Sequence, residues 1–136
     1  MPEADLIELG RTARHEGRLE AARRLYRDAA QLYHEAGDRQ AYAKTVRHIA
    51  DIYMEEPNYA EAQPLYEEAL EIYRGDVRTG VLDLANAIRP YALLIEATGQ
   101  GETAAKLWRE AQALYAAIRV EAGVKECEEH LARLEE

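Results

Sequence analysis

A twelve-residue pattern, Ala-x-x-Leu-(Tyr/Trp)-x-x-Ala-x-x-(Leu/Ile)-Tyr, occurs three times along the chain. It falls on Ala22, Leu25, Tyr26, Ala29, Leu32 and Tyr33, then on Ala62, Leu65, Tyr66, Ala69, Ile72 and Tyr73. The third copy is Ala104, Leu107, Trp108, Ala111, Leu114 and Tyr115. Residues spaced by three, four and seven share one face of an α-helix, so each copy reads as one buried helix stripe. Small residues let neighbouring helices approach, and Leu and the aromatics fill the space between them. A second pattern pairs a large apolar residue with a small one at Leu9-Gly10, Ile49-Ala50, Tyr91-Ala92 and Leu131-Ala132. Both recur every 40 to 42 residues, the mark of a helical repeat array.

The two patterns alternate, which predicts paired helices over 3–16 and 19–36, 39–56 and 59–74, and 80–98 and 101–118, with a last helix over 121–135. Gly17, Gly37, Gly75, Gly99 and Gly101 stand at the breaks, where positive-φ turn or cap conformations are expected. Asp38 is a natural N-cap, and Asn58 with Glu61 has capping-box spacing. Pro64 and Pro90 fall inside predicted helices, and the pattern continues in phase across both. Kinks are therefore expected rather than helix ends, with the Asn86 carbonyl lacking its helical donor. No stretch alternates as a strand would, so the class is all-α in a single domain over 1–136. Its repeats run at about 3–37, 38–75 and 79–118, and a capping helix follows at about 121–135.

These positions resemble the tetratricopeptide repeat (TPR), a helix–turn–helix unit. Its first helix carries a Trp/Leu–Leu–Gly/Ala–Tyr set, matched by Leu6, Leu9, Gly10 and Ala13; by Val46, Ile49, Ala50 and Tyr53; and by Ile88, Tyr91, Ala92 and Ile95. Its second helix carries an Ala–Tyr/Phe–Ala set, matched by Ala22, Tyr26 and Ala29 and their two later copies. The period exceeds the family's usual 34 and is similar to the longer repeats of kinesin light chains and many bacterial TPR proteins. The stretch from Tyr59 to Tyr73, with Pro64 inside it, carries that likeness most closely. The resemblance implies a right-handed superhelical solenoid of three repeats plus a capping helix, seven helices in all. It further implies a non-enzymatic interaction module that binds a partner peptide on the concave face lined by the first helices.

Charge refines the ligand that such a face would take. The net charge is −9, which argues against nucleic acid, whose phosphates need neutralising. Yet residues 11–47 hold nine Lys/Arg against five Asp/Glu. The family's groove positions carry over to Arg11, Arg14, Lys44, Arg47, Asn86 and Arg89, among others, and their basic character suits an acidic peptide. Arg47 and Arg89, at matching repeat positions, are the expected central contacts. The same residues also fit solvated helix-face charges. The chaperone-type carboxylate clamp is not reproduced, because its positions hold Ile7, Arg11, His48, Asn86 and Pro90.

Other chemistry is sparse. His15, His34, His48 and His130 lack metal-ligand spacing, and no nucleophile–base set or phosphate loop can be assembled, so neither an enzyme nor a cofactor is expected. Cys127 is placed for buried packing, the aromatic rows for the core, and Arg74-Gly75-Asp76 for a turn. No apolar run is long enough to span a membrane, and the N-terminus is unlike a secretory signal, so a cytoplasmic protein is expected. The uncovered flank of the first helix raises a homodimer, or a self-associating scaffold, as an alternative. A regulatory domain of a larger system is another.

Overall fold

The computed structural model describes residues 1–136 and contains seven α-helices and no strand. They are α1 (Glu3–His15), α2 (Leu19–Glu35), α3 (Arg39–Glu55), α4 (Tyr59–Arg74), α5 (Val81–Ala97), α6 (Gly101–Ala117) and α7 (Glu121–Leu134). Each matches its expected span to within a residue at either end. α4 and α5 run through Pro64 and Pro90 without ending. The chain divides into two compact units, Met1–Gly75 and Asp76–Glu136. In the first, α1 packs on α2, α2 on α3 and α3 on α4; in the second, α5 packs on α6 and α6 on α7. Such neighbour-to-neighbour packing characterises repeat arrays.

The repeat stripe fills both cores. Ala22, Tyr26 and Ala29 are buried in α2, Ala62, Tyr66 and Ala69 in α4, and Ala104, Trp108 and Ala111 in α6. An aromatic side chain of 150–250 Å² contributes about 4–6 kcal/mol at ~25 cal/mol per Å², so these three rings anchor their helices. Several core expectations need correction: Leu25, Leu32, Leu65, Leu107 and Leu114 of the stripe are only half-buried. Tyr33 is only half-buried, although its counterparts Tyr73 and Tyr115 are buried. Leu9 is 44% exposed, whereas Ile49 and Leu131 at the matching positions are buried. Tyr91, the remaining counterpart, is half-buried.

The breaks obey a common geometry. Gly17, Gly37 and Gly99 take φ of 80°, 74° and 84°. The next residue then donates its N–H back into the helix, as Arg18 does to Ala13, Asp38 to Tyr33 and Gln100 to Ile95. Gly75 and Gly101 do not adopt positive φ. Gly75 has φ −84° and continues the α4 backbone, and Gly101 is already the first residue of α6. The α6–α7 turn uses the left-handed geometry without a glycine: Arg119 has φ 58°, and Val120 donates to the Tyr115 carbonyl. Asp38 and Asn58 cap as expected, accepting from the Ala41 and Glu61 N–H groups.

α7 packs on α6. Leu131 and Cys127 are buried, whereas Val124 and Leu134 are half-buried. Glu126 pairs with Arg89 of α5. Burial pushes the Cys127 thiol up to about 11, which leaves it a packing residue without thiolate character.

Candidate interaction surfaces

In the first unit, the charges of Arg11 and Arg14 of α1, and of Lys44 and Arg47 of α3, act on the largely buried His48 imidazole. Burial first, then the fields of Arg47, Arg14, Lys44 and Arg11, lower the His48 pKa to about 3. The imidazole is therefore neutral, and it stacks on Tyr26 with 5.8 Å between centroids. The four cations differ in freedom. Arg11 and Lys44 are exposed. Arg14 donates through Nε to Glu55 at 3.0 Å. Arg47, its side chain only 13% accessible, donates through Nη1 to Asp51 at 2.9 Å, while its buried Nε has no acceptor.

Asp51 has a second role, because its other oxygen accepts from the buried Tyr66 hydroxyl of α4. Burial and the Asp51 charge raise the Tyr66 pKa, so that hydroxyl stays a donor. Arg47 thus belongs to a chain, Arg47–Asp51–Tyr66, that ties α3 to α4. The i,i+4 spacing of Arg47 and Asp51 was a readable sign of this pairing.

Asn86 and Arg89 belong to the second unit, where they line a cleft of about 580 Å³ with Leu82, Tyr115, Gly123 and Glu126. Arg89, 42% accessible, makes a two-pronged pair with Glu126, its Nη2 lying 2.9 Å from Oε2. That bond holds the Glu126 carboxyl below its usual range. Asn86 Oδ1 accepts from the Tyr115 hydroxyl at 2.7 Å, which leaves the amide NH₂ to serve as the donor. Gly123 makes the floor possible: a Cβ there would meet the Tyr115 ring at 2.5 Å.

Sequence reasoning missed a second aromatic–histidine stack. His130 lies on Trp108 at 4.0 Å between centroids, and Glu96 Oε1 accepts from Trp108 Nε1 and contacts His130 Nδ1, both at 2.9 Å. The matching positions of His48 and His130 were the available signal. The chain holds no group of three or more His, Cys, Asp or Glu side chains placed to bind a metal ion. None of its helices is long and apolar enough to cross a membrane.

Several solved structures share this architecture. BtubC (BKLC) from P. vanneervenii superposes with a TM-score of 0.71 at 17% identity, over 98% of this chain and 63% of that one. A Podosopora anserina kinesin light chain with nearly identical TPR-like repeats gives 0.72 at 18% identity, over 96% of this chain and 72% of that one. A single-substitution variant of that protein gives the same values. The chain thus spans less than two thirds of the length of BtubC, and likeness at these identities speaks for the fold. Comparison with curated proteins gives no match. The sequence itself matches the tetratricopeptide repeat family over residues 3–75, more than half its length. Members of that family generally mediate protein–protein interaction and are generally not enzymes. With its paired helices, its Ala–aromatic–Ala stripes and that match, the chain belongs to the tetratricopeptide repeat family.

Proposed function

We propose that the chain is a non-enzymatic docking module whose first unit takes an acidic peptide segment on the α1–α3 face. The observation that carries this reading is the combined positive field of Arg11, Arg14, Lys44 and Arg47 at the neutral His48 imidazole, with Arg11 and Lys44 exposed. Guanidinium and ammonium groups gathered in this way favour carboxylates through charge-assisted hydrogen bonds. Arg11 and Lys44 are the contacts most available to a ligand. Arg14 engages by exchanging Glu55 for a ligand carboxylate, and Arg47 orients the site from its bond to Asp51. In the second unit, Asn86 offers its amide to a peptide carbonyl, and Arg89 exchanges Glu126 for a ligand acid. These are contacts of a separate subsite.

Titration of an acidic-peptide library against the wild type, R11E/K44E and R89E tests the assignment. Loss of affinity by ten-fold or more in R11E/K44E is the expected result for the best binder. Unchanged affinity in both variants would remove the basic face from the reading. The effect should also shrink with added salt, since the contacts are solvent-accessible.

A further inference from the structure

A different side of the first unit carries a second groove, between α2 and α4. At 100° per residue, Lys44, Arg47, His48 and Asp51 share one side of α3, and Tyr42, Val46, Ile49 and Tyr53 share the opposite side. The second set floors a cavity of about 370 Å³, walled by Arg27 of α2 and by Glu61, Pro64, Leu65 and Glu68 of α4. The centre of the floor is apolar, with Val46 and Ile49 buried.

The α4 rim is chemically one-sided. Glu68 accepts from the Tyr42 hydroxyl at 2.9 Å, which ties it to the floor helix, and neither Glu68 nor Glu61 has a cationic partner. The field of Glu68, after burial, helps push the Tyr42 hydroxyl up to about 12. Pro64 has no N–H to give the Ala60 carbonyl, so that acceptor also lacks its helical donor. From His48 to Tyr73 the chain has no Lys or Arg to supply one. Across the groove, the one arginine of the wall, Arg27, is turned to the Tyr53 hydroxyl.

We infer that this groove is a second docking site, for a protein segment with one aliphatic side chain flanked by Lys or Arg. The aliphatic group covers Val46 and Ile49, and the flanking cations meet Glu61 and Glu68. Nucleic acid and anionic membrane are repelled by the same rim.

The probe is a synthetic Lys-Arg-Leu-Arg-Lys peptide, with Leu→Ala and all-Glu-flanked versions as comparisons. Binding to the full chain is read by calorimetry and by amide shifts in the NMR spectrum. The expected result is shifts centred on Val46, Ile49 and Leu65, weaker binding by the Leu→Ala peptide and none by the acidic one. E61Q/E68Q should lose affinity ten-fold or more, while E128Q/E129Q, equal in charge change but on α7, should not. R11E/K44E should bind the basic probe at least as well as wild type, which separates this site from the acidic-peptide face. Equal losses in the two glutamine variants would mean attraction to net charge alone and would overturn the inference. Absence of binding, or shifts centred elsewhere, would overturn it as well.

Discussion

The His130 imidazole lies flat on the Trp108 indole, with 10° between the ring planes. His48 and Tyr26, each 82 residues earlier, repeat the contact at 16°. The stack thus occurs in two copies of the repeat, the middle copy having Pro90 at the histidine position, and the two differ in what stands beside it. Glu96 contacts His130, whereas position 14, its counterpart, is an arginine that lowers the His48 pKa. One scaffold thus presents an aromatic–histidine stack in two different electrostatic settings.

That difference gives His48 a pH signature. The unfolded imidazole titrates near 6.5, and the folded one near 3. Unfolding takes up a proton between those values, so the stabilisation is complete above the unfolded pKa and falls as the pH drops through the window. The slope is at most about 1.4 kcal/mol per pH unit. Urea denaturation of wild type and His48→Gln between pH 7 and 5 should show a shallower dependence in the variant. Parallel curves would contradict the burial of a neutral imidazole.

Arg119 holds a left-handed backbone conformation that three other turns assign to glycine. Arg119→Gly should raise stability by roughly 0.5–1 kcal/mol, since relief of about 1–2 kcal/mol exceeds the extra entropy glycine loses. Chemical denaturation measures it, with Arg119→Ala as a control expected to gain nothing.

Gly10 and Gly123 both face an aromatic ring from within a helix, but at different range. A Cβ at Gly10 would stand 3.2 Å from Tyr26, and one at Gly123 only 2.5 Å from Tyr115. Helix propensity favours alanine by about 1 kcal/mol at either place. Gly10→Ala should therefore be near neutral, and Gly123→Ala should lose roughly 1–3 kcal/mol through overpacking. Adding Tyr115→Leu should recover part of the second loss in thermal denaturation.

Arg47→Ala should cost roughly 2–3 kcal/mol, because Asp51 loses its cation in a poorly solvated place. Arg11→Ala, on an exposed side chain, should stay within about 0.5 kcal/mol. Equal effects on denaturation midpoints would show that Arg47 is not held as described.

The sequence carried the helices because their signal repeats: Tyr26, Tyr66 and Trp108 mark one stripe at one period, and packing obeys it. The place of the α6–α7 turn was legible but its left-handed geometry was hidden, since an arginine at positive φ leaves no trace except a missing glycine. Tyr33 and Tyr115 share a repeat position yet differ in burial, and Gly123 has Ala41 as its own counterpart. Among the candidate contacts, Arg11, Arg14, Lys44 and Arg47 were legible as cations on neighbouring helices. Their partners were less so. Arg47–Asp51 lies within one helix turn and could be read locally, while Arg89–Glu126 joins residues 37 apart and depends on how α5, α6 and α7 pack.

One flank of α7 bears on how this architecture can be extended. Where α3 presents Ala43, Val46, Ala50 and Tyr53, all buried, α7 has Lys125, Glu128, Ala132 and Glu135, all exposed. Glu135 is also engaged by Arg109. A helix laid against that flank would have to desolvate charges where α4 finds a dry seat on α3. The flank behaves as an end group in the polymer sense, and a designer wishing to lengthen the array should begin by making those three charged positions apolar.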